Sequence, residues 1–205
     1  MISILNYEMG NIRSIQNALD FIGIGCRVID TQKDILESEK LILPGVGSFA
    51  VAMENIRRKD LLDALNEAAL VKKIPILGIC LGMQLLMDKS EEGGLNQGFG
   101  WIGGAVKRFD PYKLSIKVPH IGFNTVYFES NNNGLFRGLG SSADFYFIHS
   151  YRVECQNRED ISSWANYGER FTAGIQRKNI FGVQFHPEKS QTNGLAVIRN
   201  FCNLA

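Results

Sequence analysis

The sequence predicts an α/β fold, a mixed and mostly parallel sheet flanked by helices, with a β-rich C-terminal half. Two patterns carry this reading. Short, nearly continuous apolar runs, of which Ile74 to Ile79 is the clearest, read as strands buried on both faces, as in a parallel sheet covered by helices. In the N-terminal half these runs alternate with stretches whose apolar residues recur at helical spacing, whereas past Leu95 the chain changes to short, partly alternating segments.

Ile2 to Asn6 is the first strand. Asn11 to Ile22 carries Ile12, Ile15, Leu19 and Ile22 at helical spacing behind Gly10, with Asn11 as the cap. Cys26 to Ile29 and Leu41 to Leu43 are the next strands, the latter ending in the loop Pro44-Gly45-Val46-Gly47-Ser48. A helical stretch with Met53, Ile56, Leu61, Leu62 and Leu65 follows, so the loop glycines sit at the carboxyl edge of a strand, where ligands bind in such sheets. After the strand Ile74 to Ile79, Leu81 to Met87 has helix-forming residues with no breaker. Gly104 to Phe109, Phe123 to Phe128, Phe145 to Glu154, Thr172 to Arg177 and Ile180 to Phe185 read as strands, the last pair turning at Lys178-Asn179. A final helix after Ser190 carries Leu195, Ile198 and Phe201.

Composition narrows the function classes. The 205 residues suit one domain spanning 1–205, with no repeat or linker to divide it. A formal net charge of +1, a pI near 7.7 and no run of like charge favour neither nucleic acid nor a membrane surface as partner. No apolar run reaches membrane-spanning length and the N-terminus lacks a signal pattern, so a soluble, cytoplasmic protein is expected. The four cysteines are scattered, with no C-x-x-C pair and no Cys/His spacing suited to zinc, so no metal, redox pair or cofactor is expected.

The chemistry centres on Gly78-Ile79-Cys80-Leu81-Gly82. Here the chain passes from strand to helix within one or two residues, leaving a thiol on the turn, in the manner of the G-x-S-x-G nucleophile elbow. Flanking glycines permit the strained turn and the close approach of other backbone. The helix N-terminus beneath the sulfur offers unpaired N–H groups that favour a thiolate and later an oxyanion. An isolated cysteine at such a depth is more often inert, and the glycines and the strand-to-helix switch set this one apart.

A base is supplied by Phe185-His186-Pro187-Glu188. Proline biases His186 toward an extended conformation, in which residues i and i+2 share a face, so Glu188 can accept from one imidazole nitrogen and leave the other for the thiol proton. Only three histidines occur. The other two, His120 and His149, have no carboxylate two residues on.

Gly78 to Leu86, Pro44-Gly-Val-Gly47 and Gln184-Phe-His-Pro-Glu-Lys-Ser190 together resemble the class I (triad) glutamine amidotransferases, which have a flavodoxin-like α/β fold. Within that class, Gly10-Asn11, Lys117 to Asn124 and Tyr146 to Tyr151 look like the glutaminase subunit of imidazole glycerol phosphate synthase. Two stretches depart from the usual pattern. Asn6-Tyr-Glu-Met-Gly-Asn11 stands where the family often has Asp-Tyr-Gly-Met-Gly-Asn, and Phe123 replaces a tryptophan.

The resemblance implies that Cys80 attacks the side-chain amide of L-glutamine, with His186 moving the proton and Glu188 orienting it. The oxyanion would be met by the backbone N–H of Leu81 and one from Gly45, Val46 or Gly47. Gln84, Glu92 and the segment His149, Ser150 and Tyr151 would hold the amino-acid end. Ammonia would pass to a (β/α)8 synthase (cyclase) subunit in a heterodimer serving histidine biosynthesis, with Asn11, Pro119, His120, Phe123, Asn124 and Lys189 toward the interface. Rival readings are a paralogue feeding a sugar amidotransferase of surface-polysaccharide synthesis, a cysteine peptidase with the same triad, and an inactive scaffold.

Overall fold

The computed structural model describes residues 1–129 and 134–204. Among them the strands are β1 (Ile2–Leu5), β2 (Cys26–Ile29), β3 (Lys40–Leu43), β4 (Ile76–Ile79), β5 (Met87–Ser90), β6 (Asn96–Gln97), β7 (Ile102–Arg108), β8 (His120–Phe128), β9 (Ser142–His149), β10 (Tyr151–Cys155), β11 (Ile161–Tyr167), β12 (Glu169–Arg177) and β13 (Ile180–Val183). The helices are α1 (Ile12–Phe21), α2 (Gln32–Leu36), α3 (Phe49–Arg58), α4 (Leu62–Asn66), α5 (Leu81–Leu85), α6 (Pro111–Leu114) and α7 (Gln191–Cys202).

The strands form one mixed sheet in the order β2-β1-β3-β4-β13-β12-β10-β7-β5-β6, with β11, β8 and β9 branching from β12. Its first five strands are mutually parallel. All four residues of β1, β4 and β13 are buried, because each strand buries both of its faces. Leu5, Leu41, Leu43 and Ile76 face one core with Phe49, Met53 and Ile56 of α3. Ile2, Ile4, Ile42, Leu77 and Ile79 face the other, with Ile15 and Leu19 of α1 and Val197, Ile198 and Phe201 of α7. The apolar runs are thus period-two patterns on both sides at once, and the architecture is helix, sheet, helix. No helix among the described residues is long and apolar enough to cross a membrane.

The predicted boundaries hold within a residue or two for β1, α1, β2, β3 and α7, and Asn11 caps α1 by accepting from Ser14 N at 3.3 Å. The run Leu81 to Met87 differs. The helix ends at Leu85, and β5 begins at Met87 because Phe99, Gly100 and Trp101 donate to the carbonyls of Leu85, Met87 and Leu86 at 2.8–3.0 Å. Tertiary pairing overrides helix propensity there. Phe145 to Glu154 is likewise two strands, broken at Ser150. Nothing in the spacing of apolar residues marks β5, β6, β11, α2 or α6.

Candidate active site

β4 lies between β3 and β13 among the parallel strands and delivers Cys80 to their carboxyl edge. Cys80 adopts φ 55 and ψ −109, a conformation costly for a residue with a Cβ and retained where the surroundings enforce it. They do so here. Cys80 N donates to Val183 O at 2.8 Å, and a Cβ on Gly78 would lie 2.6 Å from Gly82 O. A Cβ on Gly82 would lie 2.0 Å from Leu43 O, so both glycines of the elbow are required by backbone contact. Because α5 has only five residues, what it offers at the elbow is the individual N–H groups of a first turn, unpaired within the helix, more than a long macrodipole.

His186 follows β13, the neighbour of β4. Its backbone is extended, at φ −98 and ψ 95, but Pro187 to Lys189 form a single 3-10 turn, so Glu188 reaches the ring by a turn and not along a strand face as the proline pattern suggested. The pair forms all the same: His186 Nδ1 and Glu188 Oε1 are 2.8 Å apart, with both side chains 2% exposed. Since the carboxylate must accept, Nδ1 carries the hydrogen. Nε2, also buried, has no hydrogen-bond partner. Burial alone would lower this imidazole's pKa, yet the Cys80 sulfur and the Glu188 carboxylate outweigh it and push the ring up to about 10. The backbone is clamped as well: His186 N donates to Tyr146 O at 2.9 Å, and Ser190 Oγ donates to His186 O at 2.6 Å.

Cys80 and His186 open onto one cavity of about 370 Å³. Val46, Gly47, Leu81, Gln84, Glu92, Pro119, Lys189 and the segment Ile148 to Tyr151 line it. Gly45 does not: it lies behind the lining, where a Cβ would come within 2.9 Å of Gly82 N, Leu81 Cβ and Tyr7 Oη. The Tyr7 hydroxyl, fully buried, donates to Pro44 O and so tethers the start of this loop, while Gly47 at φ +102 gives it a conformation that favours glycine. Glu92 Oε2 accepts from Phe49 N at 2.8 Å at the start of α3, whose cap residue Ser48 makes no side-chain cap bond.

The remaining histidines are not bases. His149 Nδ1 donates to Tyr151 O at 2.8 Å, and its Nε2 lies 2.9 Å from His120 Nδ1. His120 Nε2 in turn lies 3.2 Å from Asn124 Nδ2. Each ring therefore has one donor and one acceptor nitrogen, both neutral, and burial lowers their pKa values to about 4 for His120 and about 3 for His149. His120 is 3% exposed, with its ring turned inward behind the exposed face of β8. Its strand neighbours Ile121 and Phe123 are the exposed ones, as the alternation of β8 requires. Asn11 lies outside the cavity lining, at the N-terminus of α1.

The sequence assigns no role to Tyr7 or Gln184, although both stand within the motifs Asn6 to Asn11 and Gln184 to Ser190. Gln184 Nε2 donates to Cys80 Sγ at 3.6 Å. A signal did exist for it: a lone amide inside the apolar run Ile180 to Phe185 must find buried partners. The departure at Glu8 also has a structural reading. Glu8 has φ 68, where glycine is the easier residue, and its carboxylate is held by Arg58 and by Lys59 Nζ at 3.3 Å.

The profile of the glutamine amidotransferase class-I family matches residues 3–204. Among curated proteins, the chain is 44% identical over 206 residues to imidazole glycerol phosphate synthase subunit HisH of Leptospira borgpetersenii, covering the full length of both chains. It is 47% identical over 203 residues to the HisH subunit of Moorella thermoacetica, covering 99% of this chain and 94% of that one. Among solved structures, a crystal structure of a glutamine amidotransferase superposes with a TM-score of 0.75 at 16% identity, covering 98% of this chain and 96% of the other. PurLQS from Thermotoga maritima gives 0.75 at 21%, covering 98% and 97%. At such identities these structures speak for the fold.

Proposed function

The chain belongs to the class-I glutamine amidotransferase family, and from that premise we propose that it is the glutaminase subunit of an imidazole glycerol phosphate synthase. One observation carries the chemistry: a buried, unpartnered His186 Nε2 opens onto the same cavity as Cys80 while Nδ1 is bonded to Glu188 at 2.8 Å. With its pKa raised to about 10, His186 holds the thiol proton on Nε2 at neutral pH, and the sulfur attacks the side-chain amide carbon of glutamine. The oxyanion is met by Leu81 N–H and by an N–H of the Val46-Gly47 segment. The imidazolium protonates departing ammonia, leaving a γ-glutamyl thioester. Water, giving a proton to His186, then releases glutamate and restores the thiol.

Gln84, Glu92 and the backbone of His149, Ser150 and Tyr151 hold the amino-acid end of the substrate. Ammonia passes to a synthase (cyclase) subunit with a (β/α)8 barrel, the partner in a heterodimer that serves histidine biosynthesis in the cytoplasm. Pro119, Phe123, Asn124, Asn11 and Lys189 face that partner, with His120 acting from behind them. A glycine-rich loop permits a peptide flip that turns an N–H toward or away from the oxyanion, so the partner can bias the active form.

Steady-state glutaminase assays test this. Basal turnover should be low and rise on the order of 100- to 1000-fold when the barrel subunit and its nucleotide ligand are added, the scale of gaining one oxyanion donor. Equal rates with and without it would exclude the switch, and stimulation by a sugar amidotransferase alone would move the chain to a different pathway.

A further inference from the structure

We propose that Gln184 is a group that holds and stabilises the Cys80 thiolate, its amide oriented for that task by Gln84. This deepens the glutaminase reading and rests on Cys80 being its nucleophile.

The orientation follows from chemistry. The Tyr151 carbonyl can only accept, and it receives hydrogen bonds from His149 Nδ1 at 2.8 Å and from Gln84 Nε2 at 3.1 Å. Gln84 must therefore turn its nitrogen inward. The same nitrogen donates to Gln184 Oε1 at 3.0 Å. With its oxygen committed to Gln84, Gln184 can present only N–H to the other side, and what lies there is Cys80 Sγ at 3.6 Å. Gln184 is 0% exposed and Gln84 5%, so neither amide can exchange these partners for water, and flipping either would set oxygen against oxygen or leave a buried donor empty.

Gln184 is suited to the reaction as well as to packing. With the proton on His186 Nε2, the sulfur is an acceptor with a donor already aimed at it from a dry wall, so its charge needs no reorganisation to be met. The Ile148 carbonyl oxygen, 3.9 Å from Sγ, can only accept a hydrogen bond from the thiol and cannot stabilise the thiolate. Gln184 thus shifts the balance toward the anion. The titratable and charged groups facing the sulfur or its cavity are His186, Tyr7, His149, Tyr151, Glu92 and Lys189, with Glu188 acting through His186. None of these is altered by changing Gln184.

The test uses iodoacetamide, a small electrophile that needs no glutamine site, with Cys80 alkylation followed by peptide mass spectrometry so that Cys26, Cys155 and Cys202 do not interfere. Gln184→Met keeps the volume and removes the donor. Cys80 should then be alkylated about tenfold more slowly at pH 7, with its rate–pH profile displaced upward by about one pH unit. Gln184→Glu, of the same shape but anionic, should be slower still. Gln84→Met should cause a smaller displacement that does not add to that of Gln184→Met. A folded Gln184→Met protein with the wild-type profile overturns the proposal. If Gln184→Met fails to fold, an unchanged profile in Gln184→Glu overturns it instead. Glutamine hydrolysis by the wild-type complex is measured separately. Its absence alongside a displaced alkylation profile would refute the glutaminase reading and leave the role of Gln184 standing.

Discussion

His186 depends on two nitrogens of one ring meeting different neighbours, one fixed by Glu188 at 2.8 Å and one left unpartnered in the cavity that holds Cys80. Removing the ring and removing the charge that orients it should therefore differ. His186→Ala should lower the glutaminase rate of the complex by on the order of 10⁴ or more, and Glu188→Gln by roughly a hundredfold. The double variant should cost little more than His186→Ala alone, and additive losses would mean that Glu188 acts elsewhere. Cys80→Ser should abolish glutamine-dependent synthesis while leaving synthesis from external ammonia. With three histidines in the chain, an imidazole NMR titration can follow His186 directly. It should titrate near 10 and move downward in Glu188→Gln, since a lost carboxylate no longer favours the charged ring.

The elbow works as an element because β3, β4 and α5 share backbone contacts that only glycine permits. Gly82→Ala places a Cβ 2.0 Å from a main-chain carbonyl that cannot rotate away. It should destabilise the protein by about 3 kcal/mol, read as a fall in Tm of roughly 6–12 °C. Gly93→Ala is the control for a glycine without neighbours. At φ +66 and with nothing within 4 Å of its Cβ, it should cost only the modest strain of a left-handed alanine, about 1 kcal/mol.

At the scale of the whole molecule, the buried histidines give stability a pH dependence with two limbs. His120 and His149 have pKa values of about 4 and 3 in the fold against an ordinary value of 6.5. Between these limits the unfolded chain binds protons that the native protein does not, so stability falls as pH drops from 6.5 toward 3. His186 is shifted the other way. Its contribution is fully present below 6.5 and is lost as pH rises through about 10. Urea unfolding should show a maximum near pH 6.5, a loss on the order of 4 kcal/mol by pH 4.5 and a second decline as pH rises toward 10. His120→Phe, stacked as His120 is against Phe147 at 4.8 Å and Tyr167 at 4.0 Å, should cost about 1–2 kcal/mol at pH 7 and flatten the acid limb. An unchanged acid limb would assign the loss to other groups.

Much of this was legible in residue order. Both-face apolar runs define the parallel strands, Gly78 and Gly82 mark the elbow, and the two-residue spacing of His186 and Glu188 marks them as a pair, because periodicity and backbone sterics act over a few residues. The turn that joins that pair was not legible. Contacts that join distant parts of the chain were not legible. Gln184 reaches Cys80 across 104 positions and Gln84 across 100, and Tyr7 reaches Pro44 across 37. The helix expected through Met87 gives way to β5 for the same reason, since Phe99 to Trp101 take its carbonyls. Local sequence therefore determined which residues stand at the ends of β4 and β13, whereas the parallel pairing of those two strands decided that Cys80 and His186 share a cavity and that a buried amide points at the sulfur.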